Sequence, residues 1–422
     1  MLSFRTRPDE PMPDQPTNTM ISVRDAESLI AQRIGTFSSE SLPIDRAAGA
    51  ILRQRIVAER DQPPYDRVTM DGMAIRFADF VRGTRQFDVT GMQSAGMPEW
   101  STNQAHIQAD SCIEVMTGAV MPADCDTVIP VEQTVREGAQ LVLAANYQPQ
   151  QGQFIHRQGS DCRAGDLLIE PGVMLRATEM AVLAANGYSH VDVAAQPKVT
   201  LLATGDELVD VAATVETWQI RRSNDRALAS LLASRGIHDV QLAHVSDDRE
   251  VLKAAIAAQL ASRDVLILSG GVSMGQRDHV PDVLRELGVE RVFHKITQRP
   301  GKPMWFGIGP SGQAVFALPG NPVSALVCGT RYVLPALLQA MGLVTVAPTP
   351  VALAESIDFA PPLTYFLPVK LLYDTSGNRT AALLPTQTSG DFSALTQTDG
   401  FVELPPESSH FPAGFIAAYY PW

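Results

Sequence analysis

Two segments carry the residue types that an anion-handling enzyme needs. Residues 266–275 read LILSGGVSMG and residues 318–325 read LPGNPVSA. Each is an apolar run emptying into a Gly-rich or Pro-rich turn that opens a helical pattern. Such turns aim backbone N–H groups and a helix N-terminus at a bound anion. Ser269, Gly270, Gly271 and Ser273 belong to the first turn, and Pro319, Gly320, Asn321, Pro322 and Ser324 to the second. Asn before Pro is a favoured N-cap followed by a favoured first helical residue. Carboxylates stand nearby: Glu207 in TGDEL, the Asp247–Asp248 pair, and Asp278. Alone they would repel an anion. A hard divalent cation reverses that sign, so Mg²⁺ held by some of Glu207, Asp247 and Asp278 is the natural inference. Asp248 reads more simply as a helix N-cap. Between the loops, KITQRPGKP places Lys295, Arg299 and Lys302 around a Pro-Gly turn, where cations suit a phosphate or another oxyanion.

These loops need a scaffold that brings them to one edge. From Lys198 the pattern alternates strand and helix: strands at 199–203, 240–244, 265–268, 292–296 and 314–318, helices at 225–234, 250–261, 280–287 and 323 to about 342. That rhythm predicts βαβ units and a doubly wound, mostly parallel sheet whose ligands bind beyond the strand C-termini. Upstream, Ser22–Ile34 has helical spacing with Ser22 and Asp25 as a capping box, and 178–186 is a helix closed by Gly187. Short strands at 86–90, 112–116, 127–130 and 141–144 describe a small β domain. The expected layout is an N-terminal arm (1–20), a mixed domain split into 21–65 and 156–195, an inserted β domain (66–155), the α/β domain (196–345) and a C-terminal β domain (346–422). The arm reads as disordered.

The chain has 422 residues, net charge −13 and 45% hydrophobic content. That size calls for several cores, and the acidic balance argues against nucleic acid as a partner. No apolar run approaches the ~20 residues of a membrane span. The four cysteines lack metal-ligand spacing and read as reduced thiols of a cytoplasmic protein.

Taken in order, TMDGMAIR, MTGAVMPADCDTVIP, HRQGSD, TGDEL, SGGVSMG, RPGKP and LPGNPVSA resemble one family, the molybdopterin molybdenumtransferases (bacterial MoeA proteins and the gephyrin E-domain). The matching segments span roughly residues 20 to 405. The resemblance implies a four-domain, elongated homodimer with its site in a cleft between subunits. It implies insertion of molybdate into adenylylated molybdopterin with Mg²⁺-dependent loss of AMP. By motif match Asp71, Thr117, Glu207, Asp247, Asp278, Lys295 and Ser389 carry over as site residues, with Asp71, Thr117, Glu207 and Asp278 as the catalytic set. Arg157 and Asp161 follow as binding residues. The implied protein partners are the upstream molybdopterin adenylyltransferase and downstream molybdoenzyme maturation proteins. Three positions depart from the family pattern: Met73, Arg222 and Arg299. Two other readings stand beside this one: a non-catalytic cofactor carrier, motivated by Met73 and Arg222, and a molybdopterin adenylyltransferase.

Overall fold

The computed structural model describes residues 20–98, 107–272, 279–344, 347–386 and 388–422. The predicted arm (1–20, apart from Met20), Ser273 and Asp278 lie outside them.

A six-stranded sheet organises the centre, in the order Val240–Val245, Val199–Thr204, Val265–Ser269, Ala314–Leu318, Trp305–Ile308, Glu290–His294. The first four strands are parallel and the last two antiparallel to their neighbours. The three strands Val199–Thr204, Val265–Ser269 and Ala314–Leu318 are buried along their whole length. Their runs, apolar apart from Thr200, Thr204 and Ser269, suit parallel strands covered on both faces. One face is covered by Asn224–Ala233 and the helix from Pro322, with Leu228, Leu232, Val323 and Val327 in the core. The other is covered by Arg249–Leu260 and Val280–Glu286, through Leu252, Ile256, Val283 and Leu284.

The four loops expected at one edge do follow parallel strands and open on the same edge. Asp248 is the N-cap of the Arg249 helix, its carboxylate accepting from the N–H groups of Glu250 and Val251. The last helix starts at Pro322 and ends at Ala340, interrupted by a π-helical turn over Gly329–Val333. This helix is long and apolar enough to cross a membrane, yet 78% of its most apolar window is buried inside the protein. It is the core helix of the α/β unit. The predicted strand at 292–296 lies at Glu290–His294 instead, because it pairs antiparallel with Trp305–Ile308 and takes its register from that hairpin.

The first helix, Val23–Arg33, is capped as its sequence predicts, Ser22 Oγ accepting from the Asp25 N–H. Its buried Val23, Ala26 and Ile30 join the core of the α/β sheet and of the C-terminal strands. Ser39–Pro43 pairs with His190–Ala194, and Ile56–Val57 with Leu167–Ile169. Between these pairings lies a six-stranded sheet built from Gly72–Ile75, Gln86–Gln93, Ser111–Val115, Thr127–Pro130, Thr134–Glu137 and Gln140–Leu143. The C-terminal segment supplies five strands of a further six-stranded sheet around Thr364–Tyr373, and Gln298–Arg299 is the sixth, at its edge.

Candidate active site

Where the parallel strands end, their loops line one cleft of about 1000 Å³. Thr204, Glu207, Asp247, Ser269, Gly270, Gly271, Pro319, Gly320, Asn321 and Pro322 all face it. The glycine turn is dictated by crowding. Gly270 has φ +103, and a Cβ there would lie 2.7 Å from the Thr204 carbonyl oxygen. No L side chain fits that backbone and that gap.

Asn224, first residue of its helix, joins the two anion loops. Its Nδ2 donates to Ser269 Oγ and to the Gly320 carbonyl, each at 2.8 Å. Its own type and position mark it as a helix-start residue beside the departure at Arg222; the strand order is what brings residues 224, 269 and 320 together. Asn321 is the N-cap by position, yet its side chain makes no cap bond. Its Nδ2 donates instead to Ser389 Oγ at 2.7 Å, and the Val323 N–H donates to the Ser389 carbonyl. The expected N-cap role thus gives way to a tie with the C-terminal domain. Thr204 Oγ1 is buried against the glycine turn and has no hydrogen-bond partner among the described residues.

The acidic wall is partly assembled. Glu207 turns its carboxylate back over Gly205, and the Asp247 N–H donates to Asp206 Oδ1. Among the described residues no three His, Cys, Asp or Glu side chains stand close enough to hold an ion by themselves.

A second cavity of about 340 Å³ adjoins the cleft, with Pro303, Pro319 and Asn321 on both walls. It gathers Arg299, Lys302, Ser324 and Ser389. The Arg299 guanidinium lies 5.9 Å from the Phe359 ring centre. Lys295 lines neither cavity; it takes φ +76, its N–H donates to Met304 and its carbonyl accepts from Ile21.

The remaining predicted residues stand elsewhere. Asp71 accepts from the Thr117 N–H at 2.6 Å and from Thr117 Oγ1 at 2.8 Å. These two bonds, the backbone one first, hold its carboxyl below the ordinary aspartate range. Arg157 pairs with Asp66, and Asp161 with His156 at 2.7 Å. None of these four residues lines either cavity.

Two of the departures have plain structural accounts. Met73 is fully buried in the Gly72–Ile75 strand and packs with Ile75, Phe87 and Ile129, away from any site. Arg222 does line the cleft, but Asp210 takes its guanidinium at 2.7 Å, with buried Asp225 at 3.7 Å. That bond holds Asp210 below the ordinary aspartate range.

This architecture defines a molybdopterin-binding α/β protein with flanking N- and C-terminal domains. Three family models match in order: the MoeA N-terminal region (domains I and II) at 21–187, a probable molybdopterin binding domain at 200–339, and the MoeA C-terminal region (domain IV) at 350–422. A molybdopterin molybdenumtransferase from Synechocystis is 38% identical over 96% of this chain and 100% of its own length. One from Staphylococcus epidermidis is 30% identical over 94% of each chain. A crystal structure of a molybdopterin biosynthesis MoeA protein from Pyrococcus horikoshii shares 29% identity and a TM-score of 0.79, covering 96% of this chain and 99% of that one. The chain belongs to the molybdopterin molybdenumtransferase family.

Proposed function

We propose that the cleft inserts molybdenum into adenylylated molybdopterin and releases AMP, late in molybdenum cofactor biosynthesis. The observation that carries this reading is the meeting of the two anion loops. Ser269–Gly271 and Pro319–Pro322, tied by Asn224, face Glu207 and Asp247 across one cleft. The loop N–H groups and the N-terminus of the Pro322 helix bind and orient the phosphate groups. Arg299 and Lys302, beside Ser324 and Ser389 in the adjoining cavity, attract the molybdate oxyanion.

The donor chemistry fits Mg²⁺. The ion takes one or two carboxylates and completes its shell with substrate phosphates and water, so Glu207 and Asp247 suffice where no three protein ligands are assembled among the described residues. Asp278 is the further carboxylate proposed for it. Bound there, Mg²⁺ would polarise the phosphoanhydride and offset charge on the leaving phosphate. Molybdate is substrate, not resident cofactor.

A second copy of the chain is proposed to complete the site in a cytoplasmic homodimer. The Asp71–Thr117 pair is exposed, turned to neither cavity, and accompanied by exposed Met92, Met97 and Met116. Ile220 lines the cleft and is exposed, and Val211 and Trp218, close to it in sequence, are exposed too. Two apolar surfaces of this kind suit burial against each other. On this reading Asp71 and Thr117 act across the interface, and Arg157, Asp161 and Lys295 shape the frame around it. The five-segment domain layout and the exchange of substrate with an upstream adenylyltransferase and with downstream maturation proteins belong to the same proposal.

The test is direct. Purified protein with adenylylated molybdopterin, molybdate and Mg²⁺ is expected to release AMP in proportion to molybdenum bound. Tight pterin binding without AMP release would overturn the insertase in favour of a carrier. ATP consumption with formation of adenylylated molybdopterin would mark an adenylyltransferase.

A further inference from the structure

Arg299 and Lys302 stand on a turn that rests on two buried polar side chains. We propose that Gln298 and Tyr332 are a positioning pair: the Tyr332 hydroxyl orients the Gln298 amide, and the amide holds the Arg299–Lys302 turn in the form that receives an oxyanion. The inference rests on the reading of that turn as the place where molybdate is attracted, and adds what positions it.

Backbone bonds anchor the two ends of the turn. The Ile296 N–H donates to the Lys302 carbonyl at 2.9 Å, and the Thr364 N–H to the Thr297 carbonyl at 3.0 Å. The apex is held by a side chain. Gln298, 1% exposed, donates from Nε2 to the Pro300 carbonyl at 3.0 Å and to Cys328 Sγ at 3.6 Å. The apex backbone packs directly on these groups. Gly301 takes φ +89, and a Cβ there would lie 2.5 Å from Cys328 Sγ and 2.6 Å from Gln298 Nε2.

An amide can face either way, and the wrong way would set its oxygen against the Pro300 carbonyl. Tyr332 decides. Its hydroxyl donates to Gln298 Oε1, which leaves Nε2 for Pro300. Burial pushes the Tyr332 hydroxyl well above its ordinary range, so it keeps the proton it donates. Both polar atoms of the amide are then engaged, and a satisfied polar network in an apolar core favours one geometry.

Tyr332 reaches Gln298 from the π-helical turn Gly329–Val333, where the Leu334 N–H donates to the Gly329 carbonyl five residues back. All five residues of that turn are buried. Its wider winding lets two adjacent side chains serve separate partners: Arg331 donates to Glu27 and Glu403, and Tyr332 to Gln298. Such turns recur where a helix meets a functional site. This one meets the wall of the cavity that holds Arg299, Lys302 and Ser324.

The experiment measures molybdate binding by calorimetry, with AMP and Mg²⁺ as a separate probe of the neighbouring cleft. Arg299→Ala is expected to weaken molybdate at least tenfold, which tests the underlying reading. Tyr332→Phe keeps the ring and removes the hydroxyl. It is expected to weaken molybdate roughly fivefold or more, the size of one neutral hydrogen bond, and to leave AMP affinity unchanged. Leu337→Val opens a small void five residues further along the same helix. It should lower the thermal midpoint and leave molybdate affinity at the wild-type value. If Arg299→Ala loses molybdate and Tyr332→Phe binds it as wild type does, the pair is overturned and the oxyanion turn stands. Equal weakening by Leu337→Val and Tyr332→Phe would reduce the effect to general softening of the helix, and would overturn the pair as well. Absence of molybdate binding to wild-type protein, or unchanged binding in Arg299→Ala, would overturn the reading of the turn and the pair with it.

Discussion

Asn224 and Ser269 meet at 2.8 Å across the floor of the cleft, and the same Asn224 nitrogen reaches the Gly320 carbonyl. One side chain thus sets the distance between two turns that come from separate strands. Asn224→Ala removes both bonds and leaves a buried acceptor unpaired. At about 1 kcal/mol for each neutral bond, AMP affinity is expected to fall roughly tenfold or more, read by calorimetry. Ser269→Ala, which breaks only one of the bonds, should cost less. An Asn224→Ala protein with unchanged affinity would show that the loops hold their spacing without it.

Glu207 offers the cleft a hard oxygen donor. Glu207→Gln keeps the shape and removes the charge. AMP release at fixed Mg²⁺ is expected to fall about 100-fold, the size seen when one charge-stabilising group is lost from a reacting phosphate or acyl centre. Binding of the pterin substrate should persist, because the anion loops are untouched. Unchanged AMP release would remove Glu207 from the proposed metal set.

Much of this architecture is legible in the chain because local and global signals agree. The predominantly apolar runs at 199–204, 265–269 and 314–318, spaced by helical patterns, read as strands covered on both faces whose loops share an edge. Ser22 and Asp248 announced their caps by type and position. The ties across the site were not legible. Asn321 has every local mark of a capping residue, yet Ser389, remote in sequence, takes its amide. Met73 stands beside the site motif but points into a core, a matter of strand register that alternation over four residues does not fix. Arg222 departs from the family pattern, and its partner is Asp210, twelve residues back. In each case the deciding contact is tertiary.

The Asp71–Thr117 pair makes a prediction about pH. Two hydrogen bonds stabilise the Asp71 carboxylate, so its folded value lies below its unfolded one. The contribution of the pair is fully present above the ordinary aspartate range and disappears as pH falls through the lowered folded value. Thr117→Val deletes the hydroxyl and keeps the backbone N–H. The Asp71 titration, followed by carboxyl carbon NMR, is expected to move part of the way up toward the ordinary range. No movement would mean that the backbone bond alone sets it.

The thiols should divide one against three. Cys112, Cys125 and Cys328 are buried, and burial pushes Cys112 and Cys328 up to about 12. Cys125 is raised for the same reason. The thiolate is the reactive form, so these three should resist a thiol reagent at neutral pH. Cys162, partly exposed, should react alone in native protein, and all four after denaturation. Rapid reaction of more than one native thiol would contradict the packing around the other three.

Arg331 couples three parts of the chain from inside the π-helical turn. Its Nε donates to Glu403 of the C-terminal sheet and its Nη2 to Glu27 of the first helix, each at 2.9 Å. The guanidinium also lies over the rings of Tyr332 and Tyr420. Only 6% of the Arg331 side chain is exposed, against 22% for Glu403 and 57% for Glu27. The two ion pairs are therefore unequal. Glu27 is largely hydrated, and Glu27→Ala should cost less than about 1 kcal/mol. Arg331→Ala strands Glu403 beside two aromatic rings and opens a void, and should cost about 3 kcal/mol or more. Arg331→Met restores the buried stem without the charge, and is expected to recover part of that loss. Urea unfolding of the four proteins orders them: wild type, Glu27→Ala, Arg331→Met, Arg331→Ala, with falling midpoints. If Arg331→Ala unfolded at the wild-type midpoint, the junction of first helix, core helix and C-terminal sheet would be held by apolar packing alone.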